Sequence, residues 1–298
     1  MNRAIATGNF DGCHLGHQKL FTFLKQKAQD AGLKPMIVSF EPHTRYLLGA
    51  PGKPPLLTTS LEKKEFIESF GLSFASIPFT HALTQKSFET FLEQNLKKAF
   101  NASLFVFGHD HKMGSKGKGD FESIVQAFPN LAVYQMQAFY HHNKLVSSSL
   151  IREELAKGHI TSANSFLGRP YRLSGEVVLG KQLGRQLGFP TANLQTEAFK
   201  LIPRFGVYAG EATLQDQRRF KTVVNIGIQP SIENQTMAIE AHLLDFSEDI
   251  YHSRLHIDLH HFLRPEQKFD SLHSLVSQIQ KDTHTARELL QKQKDPTP

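Results

Sequence analysis

The chain has one cysteine among its 298 residues, Cys13. No intramolecular disulfide can form, which fits a reducing compartment. Neither Cys-x-x-Cys nor His-Glu-x-x-His occurs, so zinc has no motif to occupy. No apolar run approaches the ~20 residues that a membrane helix needs. Met1–Ala6 runs directly into an apolar strand with no leader-like apolar region. The expectation is a cytoplasmic protein with no membrane partner. No internal repeat is evident, and neither an aromatic RNP stripe nor a Gly-x-x-Gly clamp marks an RNA-binding module. Charge is also scarce, at 21% of residues against 40% hydrophobic. Such a composition buries substantial cores, and at roughly 150 residues per domain the length suggests two domains.

Lys and Arg outnumber Asp and Glu by 34 to 28, a net charge of +6, with a pI of about 9.3. A positive surface suits polyanions, whether nucleotides or nucleic acid. The excess is modest and scattered, with Lys63-Lys64, Lys97-Lys98 and Lys112–Lys118 as its local clusters. A solvated surface is its ordinary meaning. Nucleic-acid binding is the weaker alternative, and it would show steep salt dependence.

What is present begins with Gly8–His17, which reads Gly-Asn-Phe-Asp-Gly-Cys-His-Leu-Gly-His. It follows the apolar run Ala4–Thr7 and precedes a helical pattern at Leu20, Phe21 and Leu24. It therefore reads as a turn from a first strand into a first helix. Open N–H groups and the positive dipole end at a helix start favour phosphate. Gly8, Gly12 and Gly16 let backbone approach phosphate oxygens closely. His14 and His17, three residues apart, share a face once the helix begins and can donate to one bound group. A merely polar helix face would carry the same spacing.

The first half alternates strand and helix. A helix is predicted from Gly16 to Ala31, ended by Gly32 in a left-handed turn. Pro35–Phe40 is a near-continuous apolar run, as expected of a strand buried on both faces. Thr59 and Glu62 form a capping box for a helix reaching Phe70. Further strands are predicted at Phe74–Phe79, Leu104–Phe107 and Leu131–Met136. Phe88, Phe91, Leu92, Leu96 and Phe100 recur at helical spacing and mark core, and a short helix is predicted near Asp120–Phe128. This order argues for a Rossmann-like, doubly wound parallel α/β sheet. Its ligands should sit at the carboxyl ends of the strands, where Gly8–His17 and the loop Gly108–Gly119 both fall. Val146-Ser-Ser-Ser-Leu-Ile-Arg152 opens a helix to about Lys157. Serine capping and an exposed Arg152 are one sufficient account of it.

After a short linking helix at His159–Leu167 the pattern becomes all-β. Leu255, Ile257 and Leu259 alternate with polar residues, Met237–Leu244 alternates similarly, and Arg172–Leu179, Val207–Leu214 and Phe220–Ile226 read as further strands. Such strands, spaced by turn signals, suggest a small antiparallel barrel. Asp270 is placed to cap a last helix whose Leu272, Leu275, Val276 and Ile279 form an apolar stripe. Within Gly175–Leu194, Gly180, Gly184 and Gly188 with Lys181 and Arg185 make a basic loop able to wrap phosphates. A hairpin with flexible glycines would look alike. In Pro190-Thr191-Ala192-Asn193 a hydroxyl and an amide oxygen sit two residues apart. If extended they point the same way and can share one hard cation, with a magnesium nucleotide as the candidate.

Gly8–His17 resembles the nucleotidyltransferase signature that bacterial FAD synthetases share with other adenylyl- and cytidylyltransferases. Val146–Arg152 is similar to their second signature, Ile-Ser-Ser-Thr-x-Ile-Arg, with Ser149 at the Thr. Gly175–Leu194 closely resembles the riboflavin kinase signature. Pro203 with Gly206-Val-Tyr208, Asn225-Ile-Gly227, Ile239-Glu-Ala-His-Leu243 and Phe262–Phe269 follow in family order. The chain is thus similar throughout to the bifunctional prokaryotic riboflavin kinase/FAD synthetase family.

The resemblance implies an FMN adenylyltransferase domain over 1–158, a linker over 159–168 and a riboflavin kinase domain over 169–291. The kinase would be a six-stranded barrel with a terminal helix, and 292–298 a disordered tail. It implies ATP-dependent phosphorylation of riboflavin to FMN, then adenylylation of FMN to FAD with release of pyrophosphate. Glu240 would be the kinase base. Thr191 and Asn193 would bind Mg²⁺ and ATP, beside Gly180 and Lys181. His14, His17 and Arg152 would act in adenylyl transfer, with Gly8, Phe10, Asp11, Gly16, Ser148 and Ser149 around ATP. Asp110 and Arg264 fall on the flavin side, and the expected state is a monomer or weak homo-oligomer.

Departures from the family are Thr44 at a usual Pro, His111 and Met113 at two usual aromatics, Gln229-Pro230-Ser231 for Arg-Pro-Thr, and His252 at a usual Gly. A kinase with a weakened or lost adenylyl half therefore stays open as the alternative.

Overall fold

The computed structural model describes residues 2–48, 54–180, 183–230 and 235–292. Lys181, Ser231 and the last residues of the expected tail, 293–298, lie outside them. The chain forms two compact units, Met1–Ser148 and Ser149–Pro298.

The first unit is built on five parallel strands: β1 (Arg3–Thr7), β2 (Lys34–Glu41), β3 (Ser73–Pro78), β4 (Ala102–Phe107) and β5 (Ala132–Gln135), in the order β3-β2-β1-β4-β5. Its helices are α1 (Leu15–Asp30), α2 (Ser60–Ser69), the short α3 (His81–Thr84) and α4 (Phe88–Thr90), and α5 (Phe121–Ala127). A π-helical stretch, Phe91–Lys98, continues α4. The strands are apolar on both faces because both are covered. Ala4, Ala6, Ile37, Leu104 and Val106 pack with Leu20, Phe21, Leu24 and Ile67 of α1 and α2. The intervening Ile5, Met36, Val38, Phe105 and Phe107 pack on the other side with Phe91, Leu92, Leu96 and Ile124. The predicted helical core of Phe91, Leu92 and Leu96 is thus in place.

Strand order reverses at β1, so the crevice where a doubly wound sheet takes its ligand opens beside the carboxyl ends of β1 and β4. The predicted capping box is present. The Thr59 N–H donates to Glu62 Oε2 at 3.0 Å and the Glu62 N–H to Thr59 Oγ1 at 3.1 Å. Gly32 ends α1 at φ +64. A small hairpin not expected from the sequence follows β5: β6 (Tyr140–His141) and β7 (Lys144–Leu145), with His142 and Asn143 both at positive φ.

The second unit is a closed barrel in the order β10-β11-β12-β9-β8-β13. Helices α6 (Ser148–Lys157) and α7 (Ile160–Leu167) precede it. Its strands are β8 (Tyr171–Val178), β9 (Ala192–Thr196), β10 (Gly206–Thr213), β11 (Arg219–Pro230), β12 (Gln235–Leu243) and β13 (Arg254–Arg264), with α8 (Leu183–Gln186) between β8 and β9. A terminal helix, α9 (Leu272–Lys292), packs Ala286 and Leu290 on Val207, Ala209, Val223 and Leu244.

Two expectations for this helix are corrected. Ser271, not Asp270, caps it, because its Oγ accepts the Ser274 N–H at 3.1 Å, the reach open only to the residue just before the first turn. The predicted stripe is buried only in part: Leu275, Val276 and Ile279 are half-buried, and the same face becomes fully buried only further along. Leu272 is 62% exposed while Asp282, Ala286 and Leu290 are buried, since small Ala286 lets the later turns approach the barrel.

Candidate active sites

In the first unit the chain leaves β1 through a turn pinned at several points. Phe10, Gly12 and Cys13 all take positive φ, at 49, 80 and 41, and the Cys13 N–H closes on the Phe10 carbonyl at 3.1 Å. Left-handed backbone at two non-glycine residues is strain that surrounding bonds must hold. Asp11 supplies several of them: its buried Oδ1 accepts from the N–H groups of Leu57 at 2.9 Å and Thr58 at 3.2 Å. The Gly12 N–H donates to Thr58 Oγ1 at 3.1 Å, and Ser148 Oγ to the Asp11 carbonyl at 2.9 Å. Asn9 is clasped by Thr44, donating to its hydroxyl at 2.8 Å and accepting its N–H at 3.2 Å. A proline at 44 could make neither bond.

His14 is the N-cap of α1, its Nδ1 taking the His17 N–H at 3.4 Å. The two rings stack with centroids 3.6 Å apart, so the pair expected from spacing is together, held by Phe10 edge-on to His17 at 5.3 Å. A Cβ on Gly16 would press on the His14 ring at 3.3 Å, which is why glycine fits there. Phe10's ring is buried in the core, so any part in nucleotide binding falls to its main chain.

At the carboxyl end of β4, Asp110 is exposed at the tip of its loop, with His109 Nδ1 3.8 Å away. His111 stacks on Phe107 at 4.5 Å between centroids, and Met113 is buried in the core. Both residues at usual aromatic positions therefore turn inward and do packing work. Burial pushes the His111 pKa down to about 4, only partly opposed by Asp110. Ser149 and Arg152 lie one turn apart on α6, in the second unit, with Ser149 exposed.

In the barrel, β9 pairs with β12 so that Asn193 faces Glu240, and β12 with β11 so that Glu240 faces Asn225. Directly opposed residues share a face, so the three stand in one row. Asn225 Nδ2 reaches Glu240 Oε2 at 3.5 Å. Ile239 and Ala241 point inward and are buried. The glycine loop folds back on this row: a Cβ on Gly180 would overlap the Asn193 amide, and one on Gly184 would lie 3.4 Å from Thr191 Oγ1. His242 Nδ1 bonds the Pro190 carbonyl at 2.8 Å, fixing the turn that presents Thr191. A Cβ on Gly227 would overlap the Glu266 carboxylate, so a second acid lies over the same strand, two residues beyond Asn225.

Arg264 is anchored to the terminal helix. Its Nε and Nη2 grip Asp282 of α9 at 2.8–3.1 Å. His252, at a usual Gly, does take left-handed backbone at φ 61. The hydroxyl and amide of Thr191 and Asn193 are hard-oxygen donors. Among the described residues no cluster of His, Cys, Asp or Glu could hold a metal by itself.

Comparison with known proteins accords with this fold. A family profile described as FAD synthetase matches residues 1–150, and one described as riboflavin kinase matches 167–290. The bifunctional riboflavin kinase/FMN adenylyltransferase of Haemophilus influenzae is 34% identical over 287 residues, covering 95% of this chain and 93% of its own. The chain belongs to the bifunctional riboflavin kinase/FMN adenylyltransferase family. The Bacillus subtilis member is likewise 34% identical, over 95% of this chain and 90% of its own. A crystal structure of a Streptococcus pneumoniae protein described as a macrolide-efflux protein shares the fold. It superposes with a TM-score of 0.87 at 26% identity, covering 96% of this chain and 94% of that one. Among the described residues no helix is long and apolar enough to cross a membrane. This member of the family is an ATP-using enzyme with a kinase and an adenylyltransferase domain that makes FAD from riboflavin.

Lys63, Ser39 and Thr58 were missed from sequence as parts of these sites, while Asn225 and His242 stood in quoted motifs without a role of their own. Lys63 carried one local signal: it lies four residues before buried Ile67 and so shares its helix face.

Proposed function

We propose that the two reactions divide between residues 1–158 and 169–291, joined by a linker at 159–168, in a cytoplasmic monomer or weak homo-oligomer. In the barrel, Glu240 takes the proton of the riboflavin 5′-hydroxyl as that oxygen attacks the γ-phosphorus, giving FMN and ADP. The row Asn193–Glu240–Asn225 is the observation that carries this reading. Asn225 orients the carboxylate, and Gly180 and Gly184 lie close enough to Asn193 and Thr191 for the loop, with Lys181, to wrap the nucleotide phosphates. Mg²⁺ suits this donor set, because it keeps few protein ligands and completes its shell with phosphate and water. Thr191 and Asn193 would hold it. When bound it would neutralise charge on the transferred phosphoryl group.

In the first unit a phosphate oxygen of FMN attacks the α-phosphorus of a second ATP and pyrophosphate leaves. The attacking group is already an anion, so no base is required. His14 and His17 donate to the charge developing on the phosphates, above a turn whose Gly8 and Gly16 admit close approach. The resemblance of Val146–Arg152 to the second signature assigns Arg152, Ser148 and Ser149 to the leaving pyrophosphate, and Asp11 keeps the turn in shape. Asp110 lies on the flavin side. Arg264 shapes the flavin side of the barrel through its grip on α9. Substitution tests the assignment. Glu240→Ala should stop FMN formation and spare conversion of FMN to FAD. His14→Ala with His17→Ala should do the reverse, at roughly 10²–10³ in rate per donor lost. Normal FAD synthesis by the double His variant would refute the roles given to that pair.

A further inference from the structure

Lysine is almost never fully buried, yet Lys63 on α2 is 5% exposed. Its ammonium donates to Ser39 Oγ at 3.1 Å, and Ser39 Oγ donates in turn to the Asn9 carbonyl at 3.3 Å. The chain of bonds thus runs from α2, through β2, into the turn after β1. The titratable groups that face the ammonium are Asp11 and Cys13 of that turn and Glu41 at the end of β2. Among the described residues its hydrogen-bond acceptor is a neutral hydroxyl, not a carboxylate. Burial penalises the charge and lowers the pKa, while Cys13, Asp11 and Glu41 push the other way.

A cation desolvated in this way is a poor device for stability, since an apolar side chain of similar volume often does as well or better. It is a good device for a phosphate site, where low dielectric lets a fixed charge act at a distance. We propose that Lys63 is a positioning residue for adenylyl transfer: through Ser39 it holds the Asn9 carbonyl, and from beneath the turn it counters the charge of the entering nucleotide phosphates. This rests on the reading of Gly8–His17 as the adenylyl-transfer site.

The test uses the full chain with Lys63→Met, Lys63→Gln and Lys63→Arg. FMN and ATP are supplied for FAD synthesis, and riboflavin and ATP for FMN synthesis on the same samples. Expected is a roughly 10- to 100-fold loss of kcat/KM for ATP in FAD synthesis by the Met and Gln variants, carried mainly by KM. Arg should recover much of it, and FMN synthesis should stay at the wild-type rate in all three. The Gln variant keeps a donor to Ser39 and covers the case in which Met does not fold. Wild-type KM and kcat in Lys63→Gln would overturn the inference alone. A wild-type chain that forms no FAD from FMN would overturn the site reading and this inference together.

Discussion

The pairing of Arg264 with Asp282 makes a sharp quantitative test of what holds α9 to the barrel. The two side chains are 18% and 7% exposed, and three contacts of 2.8–3.1 Å join them. Gln278 adds a bond to Asp282 at 2.9 Å. Asp282→Ala would strand a guanidinium in a mostly dry site, a change that costs about 3 kcal/mol. For a unit of this size each kcal/mol is worth ~2–4 °C, so melting should fall by roughly 6–12 °C. The double variant Arg264→Met/Asp282→Leu removes both charges and should recover most of that loss. Thermal melts followed by circular dichroism measure all three proteins. If the double variant melts as low as Asp282→Ala, stranded charge is not the cause and the reasoning fails. The KM for riboflavin, taken on the same samples, reports separately whether the guanidinium also serves the flavin.

Gly180→Ala should damage the kinase specifically: the new Cβ must displace the Asn193 amide, so FMN formation should fall at least tenfold while FMN-to-FAD conversion is kept. For His111, burial lowers the folded pKa from 6.5 to about 4. The unfolded chain then binds more protons between those values, so stability rises with pH across that window and is lost on acidification toward pH 4. His111→Phe should flatten that part of the melting-temperature profile, and an unchanged acid slope would count against it. His252→Gly should raise stability by roughly 0.5–1 kcal/mol, because it relieves left-handed backbone and gives up only an exposed contact with Glu176. A urea titration reads this, and a lowered midpoint would contradict it.

What could be seen in the sequence were features set by near neighbours. Thr59 and Glu62, three residues apart, found their capping box, Gly32 its left-handed turn, and His14 and His17 their common face. Pro35–Phe40 announced a strand covered on both sides. The α/β and all-β halves followed from periodicity alone. Roles specific to residues such as Glu240 came from the resemblance, since a glutamate on an alternating strand is ordinarily just solvated. What escaped was set by register and by packing between distant segments. No local pattern pairs Asn225 with Glu240 or Glu240 with Asn193, because strand pairing fixes those neighbours. Lys63 looked like half of a surface Lys-Lys pair. Its burial depends on Ser39 arriving from β2. Leu272 carried the right spacing for a packed stripe, but α9 meets the barrel further along, where Ala286 admits close approach. Thr44, His111 and His252 looked like blemishes against the family pattern. Each has a physical place: a clasp on Asn9, a ring stacked on Phe107, and a strained turn.

One chain that carries two separate sites working in series should allow two damaged copies to complement each other. Mixing the Glu240→Ala protein with the His14→Ala/His17→Ala protein, and supplying riboflavin, ATP and Mg²⁺, tests it directly. Neither variant alone should make FAD from riboflavin, and the mixture should, with FMN appearing first. FAD from either variant alone, or none from the mixture while each retains its partial reaction, would contradict the claim.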